Sequence, residues 1–171
     1  MTEQLILVDK SDRQIGTCEK LEAHEKAFLH RAFSIFVYNS QGKLLIQRRA
    51  DCKYHSAGLW ANTCCGHPRP DETNAAAAKR RLFEELGFTC ELEEISTVSY
   101  NLPLENGLTE HEYTHIFKGT FDGRVKPNPD EVSEVKWVKP QELKQEILVG
   151  ENGYAAWFAL YLRNYFDQVF A

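Results

Sequence analysis

A chain of 171 residues, 43% apolar and 26% charged, reads as one domain over residues 1–171, large enough to bury a real core. A net charge of −5 excludes a general nucleic-acid binder, which carries a basic face, and no apolar run approaches membrane-spanning length. The five cysteines include one adjacent pair and no CxxC, which excludes a disulfide framework or four-thiolate zinc site and fits a reducing cytoplasm.

The opening MTEQLILVDKSDRQIG predicts a strand over residues 4–9 and a turn, and lacks the pattern of a signal or transit peptide. His24 and His30 come next. On a helix they diverge, and on a straight strand they stand about 20 Å apart, so they meet only if the chain folds back. Strands over residues 32–38 and 43–49 flank the turn Asn39-Ser40-Gln41-Gly42, a hairpin signal. In Trp60–Pro68, an extended chain points Cys65 and His67 to one face and Cys64, a small buried apolar residue, to the other. The thiol and imidazole are then expected to face the region closed by the following helix.

That helix lies within Gly66–Phe88. Asp71, Thr73 and Asn74 offer capping oxygens, Glu72 suits the positive end of the dipole, and Gly87 stops the helix. Helical spacing puts Arg80 beside Glu84, and Arg81 beside Glu84 and Glu85. Carboxylates aimed at one point from a loop–helix unit suit a hard cation such as Mg²⁺, which usually brings a phosphate. Further strands are predicted within residues 91–101, 112–121 and 132–138. Glu110 and Glu112 share a strand face with Cα atoms roughly 7 Å apart, close enough to hold one ion together. A helix begins at Pro140, and another runs over residues 154–169 with Trp157, Phe158, Tyr161, Leu162, Tyr165 and Phe166 on its apolar face. Helices on a mixed sheet indicate an α/β or α+β domain.

The spacing of Gly66, Glu72, Arg80, Leu82, Glu84, Glu85 and Gly87 resembles the Nudix box, with one departure: Arg81 stands where that pattern carries a metal-binding Glu. Taken with the His24/His30 pair, Arg48-Arg49-Ala50, the WxN before the cysteines, CGHP at Cys65–Pro68, ExE at Glu110–Glu112 and the late GYAAW, the chain is similar over nearly its whole length to the type I isopentenyl diphosphate isomerases. The resemblance implies a Nudix fold and transposition of a double bond through a tertiary carbocation, from isopentenyl to dimethylallyl diphosphate. His24, His30, His67, Glu110 and Glu112 are then the ligands of one divalent metal, Mn²⁺, Mg²⁺ or Zn²⁺. Glu85 binds a Mg²⁺ that arrives with the diphosphate. Cys65 and Glu112 transfer the protons with Tyr100 assisting, Lys20, Arg49, Lys53 and Arg81 clamp the diphosphate, and Trp157 walls the reacting carbons. The implied partner is a five-carbon diphosphate, with no nucleic acid or membrane, for a cytoplasmic monomer or weak dimer. The competing reading is a Nudix hydrolase of a nucleoside diphosphate derivative, which leaves Cys65, His67, Glu110, Glu112 and Arg81 without roles.

Overall fold

A computed structural model describes residues 2–171. In chain order its elements are β1 (Gln4–Val8), β2 (Gln14–Glu19), α1 (Lys20–Glu25), β3 (His30–Tyr38), β4 (Leu44–Arg49), β5 (Trp60–Ala61) and β6 (Cys64–Gly66). They continue with α2 (Asn74–Leu86), β7 (Leu92–Pro103), β8 (Thr109–Thr120), β9 (Val132–Val138), α3 (Pro140–Leu148), α4 (Ala156–Asn164) and α5 (Phe166–Phe170). The strands form one mixed sheet of nine. The strand β2 and the helix α1 were not expected. The helix expected over residues 154–169 is two, parted at Tyr165, whose φ of −129° and ψ of 24° leave the helical region.

HRAFSIFVY reads as a nearly continuous apolar run, the mark of a strand covered on both faces. β3 is accordingly the centre of the sheet. It pairs in parallel with β8 from His30↔Glu112 to Tyr38↔Thr120, and antiparallel with β6 at Ser34↔Cys65. The expected hairpin turn forms: Asn39 Oδ1 accepts from the Gln41 and Lys43 N–H groups at 3.0 Å, and Gly42 takes φ 72°. The hairpin opens at once, however, with β3 and β4 pairing only at Tyr38↔Leu44. Thr63 enters the splay. Its Oγ1 accepts from Val37 N–H at 2.9 Å and donates to Leu45 O at 2.6 Å. β6 thereby gains its place beside β3.

Strand alternation divides the core in two. On one face Phe33, Ile35, Val37, Leu45 and Cys64 pack against Ala77, Ala78, Leu82 and Leu86 of α2. On the other, Phe36, Tyr100 and Ile116 pack against Trp157, Phe158, Tyr161 and Leu162 of α4, with Cys65 at the margin. Each of these large buried side chains contributes roughly 1.5–3 kcal/mol. Thr73 caps α2, accepting from Ala76 N–H at 3.1 Å, and Gly87 ends it at φ 72°. A Cβ at Gly87 would stand 2.7 Å from Lys126 O, and one at Gly66 2.7 Å from Phe33 Cζ. Among the described residues no helix is long and apolar enough to cross a membrane.

Candidate active site

The register fixes which side chains meet. His30, Ser34 and Phe36 point to one face of β3. Glu112 lies opposite His30, Cys65 opposite Ser34, and Tyr100 of β7 opposite Glu112. Cys64, fully buried, points to the other face, as alternation predicts. The helix covering Cys65 is not the one expected. α2 packs on the Cys64 face, and α4 closes the thiol's face. The two regions are joined by a cavity of about 1020 Å³ lined by Cys65, His67, Tyr100, Glu110, Glu112 and Trp157 and, past Gly66, by Arg81, Glu84 and Glu85. Its volume lies at the top of the range of roughly 300–1,000 Å³ for small-molecule sites.

His24 and His30 do converge. After α1 the chain reverses through Ala27 at φ 55°, bringing the two rings to 5.0 Å between centroids. His24 Nδ1 lies 2.7 Å from Lys20 O and His30 Nδ1 2.8 Å from Phe28 O. A carbonyl only accepts, so each Nδ1 carries a proton and, in a neutral ring, each Nε2 presents a lone pair. Both Nε2 atoms, and Glu110 Oε2, are buried without a hydrogen-bond partner among the described residues. Burial and the neighbouring His67 lower the His24 pKa to about 4, leaving a neutral imidazole, the ligating form.

Donor atoms of His24, His30, His67 and Glu112 lie within 4.8 Å of one another, and those of His24, His55 and Glu110 form a second such group. Four of the five expected ligands are thus one cluster. Glu110 stands in the adjoining group, with a histidine the sequence did not single out. Orphaned Nε2 lone pairs and buried carboxylates are a donor set that fits a divalent ion. Burial works against ionisation of Glu112, but the adjoining His30 and His67 rings, with Nε2 atoms 3.6 and 3.4 Å from Oε1, prevail and hold it well below the usual carboxylate range. Burial and the Glu112 charge push Glu110 well above it.

Around the thiol the hydrogen bonds are specific. Cys65 Sγ donates to Asn62 Oδ1 at 3.2 Å and lies 3.4 Å from Ser34 Oγ, which pairs with Tyr161 Oη at 2.8 Å. Asn62 Oδ1 also accepts from Trp157 Nε1 at 3.1 Å, and Asn62 Nδ2 donates to Ile35 O and Cys64 O. Asn62 thereby fixes the thiol and the indole relative to each other. Burial pushes the Cys65 pKa up to about 12, against the Ser34 and Asn62 hydrogen bonds, so the thiol keeps its proton. Tyr100 Oη donates to Glu112 Oε2 at 3.1 Å.

The four expected clamp cations all line the cavity. Lys20 Nζ pairs with Glu3 at 3.0 Å, and Lys53 Nζ with Glu131 at 2.5 Å. Arg81 reaches Glu84 at 2.6 Å, Glu85 at 2.5 Å and Glu131 at 3.4 Å. Arg49 lies 5.2 Å over the Trp157 ring, its Nε buried and without a partner among the described residues. Glu85 also accepts from Gln47 Nε2 at 2.8 Å. Glu131, between Lys53 and Arg81, was missed. It lies in the loop after Pro129, where no periodicity marks an inward side chain.

A model of the NUDIX domain matches residues 28–160. The isopentenyl-diphosphate Delta-isomerase of Burkholderia multivorans is 51% identical over 158 residues, 92% of this chain and 90% of its own. Isopentenyl-diphosphate Delta-isomerase 2 of Photorhabdus laumondii is 52% identical over 158 residues, 92% of this chain and 89% of its own. Among solved structures, DR0079 from Deinococcus radiodurans aligns with a TM-score of 0.77 at 24% identity, over 94% of this chain and 98% of that one. That likeness concerns the fold alone.

Proposed function

Because the chain belongs to the isopentenyl-diphosphate Delta-isomerases of the NUDIX superfamily, we propose that the cavity between α2 and α4 isomerises isopentenyl to dimethylallyl diphosphate, with Cys65 and Glu112 as its proton-transfer pair. The relatives do not support the nucleotide-hydrolase reading. The observation that carries the assignment is the register around β3. It sets a protonated thiol and an ionised carboxylate, from strands on opposite sides of β3, into one cavity. An alkene needs an acid to form the new C–H bond and a base to remove a proton from the neighbouring carbon. The thiol and carboxylate together carry one transferable proton, as that exchange requires, and their parts reverse in the back reaction. The π electrons take up the first proton, and the C–H electrons left by the second form the new double bond, so no redox partner is needed.

Tyr100 lies on the Glu112 side and can pass a proton there. Trp157, locked by Asn62, offers its π face to the tertiary cation. The rings of Trp157 and Tyr100, which line the cavity, exclude the water that would capture it. His24, His30, His67, Glu110 and Glu112 hold a divalent ion, Mn²⁺, Mg²⁺ or Zn²⁺, which when bound supplies the positive charge that keeps two adjacent buried carboxylates ionised. Glu85 holds the Mg²⁺ that enters with the diphosphate and neutralises part of its charge.

Lys20, Arg49, Lys53 and Arg81 hold the diphosphate as a handle and leave it intact. Arg81 fits that role, because a guanidinium binds a phosphate that is to be kept. The pairing of Lys20, Lys53 and Arg81 with Glu3, Glu84, Glu85 and Glu131 positions these three cations before substrate arrives, and Arg49 is held over the Trp157 ring. Replacing Lys53 by alanine is therefore expected to raise KM about 10- to 100-fold, the loss of one charged hydrogen bond, with a smaller change in kcat. Steady-state kinetics with isopentenyl diphosphate read both terms. An unchanged KM removes Lys53 from the clamp, and phosphate release during turnover contradicts the handle.

A further inference from the structure

We propose that His55 contributes a fourth imidazole to the divalent metal, completing an all-protein sphere of four histidines and two glutamates; this rests on the metal centre proposed above. His55 is 6% exposed and lines the cavity. Its Nε2 lies 3.6 Å from Glu110 Oε1. Two ligands at right angles on one ion, each at roughly 2.1 Å, stand about 3 Å apart. A shift of some tenths of an ångström brings this pair into that range.

His55 resembles His24 and His30 in having Nδ1 near an oxygen and Nε2 turned to a carboxylate, here Glu110. The oxygen is the side-chain hydroxyl of Ser56, 3.2 Å from Nδ1, rather than a backbone carbonyl. When Nδ1–H donates to that hydroxyl, Nε2 presents its lone pair. The ring is not free to wander. Ser56 is held in the left-handed region at φ 53° with its N–H on a Glu105 carboxylate oxygen, and Arg49 donates to His55 O at 3.3 Å. Edge contacts at 4.6 Å to Tyr54 and 5.9 Å to Trp157 fix the ring plane.

The two donor groups share His24, whose Nδ1 is committed to Lys20 O. One free Nε2 can serve one ion. An ion that takes His24 and Glu110 therefore comes within reach of His55; the two groups share only His24, so they must draw together before one ion takes all six donors. With six protein donors bound, no position on the ion would be left for water beside a carbocation, and the ion would supply charge and ligand placement. Four imidazoles also favour a transition ion over Mg²⁺, which prefers oxygen.

The test loads metal-free full-length protein with one equivalent of Mn²⁺. Histidine nitrogen couplings are counted by pulsed electron paramagnetic resonance, and affinity is measured by chelator competition, for the wild type, His55→Gln and His67→Gln. The proposal expects four coupled imidazoles in the wild type, three in His55→Gln, and Mn²⁺ affinity at least about tenfold weaker in that variant. Three couplings in the wild type overturn it even if His55→Gln fails to fold, as does unchanged affinity in a folded His55→Gln. If His67→Gln also binds Mn²⁺ as the wild type does, the metal centre itself is overturned. Weakened binding in His67→Gln alone overturns only the part assigned to His55.

Discussion

Cys65→Ala is expected to lose about two to four orders of magnitude in turnover while still binding metal and diphosphate. The thiol reaches the cavity from β6, and no other described residue offers a proton donor hydrogen-bonded to both Ser34 and Asn62. The clamp cations and every metal donor except His67 lie on other segments, and His67 is held separately against His30 and Glu112, so removing the sulfur leaves them in place. Cys65→Ser is expected to be nearly as poor, since a hydroxyl is a much weaker acid than a thiol. Cys64→Ala is the internal control. That sulfur is fully buried against α2, and its loss costs about 1 kcal/mol of stability with activity largely kept. A thiol held as high as Cys65 reacts slowly with general alkylating agents at neutral pH, so the informative reagent is a diphosphate epoxide placed by the clamp. Peptide mass spectrometry should find it on Cys65. A label on Cys64, or near-normal turnover in Cys65→Ala, contradicts both the face assignment and the role.

Glu112→Gln is expected to remove two functions together. The carboxylate lies 3.4 Å from His67 Nε2 and 3.6 Å from His30 Nε2, and it accepts from Tyr100. An amide keeps the shape but ligates poorly and cannot take a proton. Metal retained after dialysis should fall at least about 100-fold in affinity, beyond the 10–100-fold typical of losing a ligand's supporting partner. Turnover should fall by at least the factor expected for Cys65→Ala and should not return at saturating metal. Recovery of normal turnover with added metal would leave Glu112 a ligand and no more. Full metal retention would remove it from the centre.

Much of this site was legible because strand and helix periods are short. Alternation alone separates Cys64 from Cys65 and pairs Cys65 with His67. Helical spacing alone puts Arg81 on Glu84 and Glu85, and both hold at 2.5–2.6 Å. Periodicity does not report which helix covers which face, and α2 proved to lie on the Cys64 side. Nor does it report chain reversal: His24 and His30 meet through α1 and the left-handed Ala27, a turn without the usual Gly or Asn signal. His55 lies in the irregular segment between β4 and β5, where no repeat says which side chain turns inward. Its partner Glu110 is remote in sequence, and only the packing of β8 against β3 brings the two together. The fold class was readable from strand and helix patterns, whereas the splay of β3 from β4 was not, because it depends on Thr63 arriving from a later segment.

The claim that the chain moves a double bond and spares the diphosphate is tested most directly in D₂O. Protein, Mg²⁺ and isopentenyl diphosphate are combined, and the proton and phosphorus resonances are followed together. The account predicts dimethylallyl diphosphate with deuterium entering the exchangeable allylic positions, and diphosphate signals that persist in full. Inorganic phosphate or pyrophosphate appearing without rearrangement, or product formed without solvent deuterium, would contradict it.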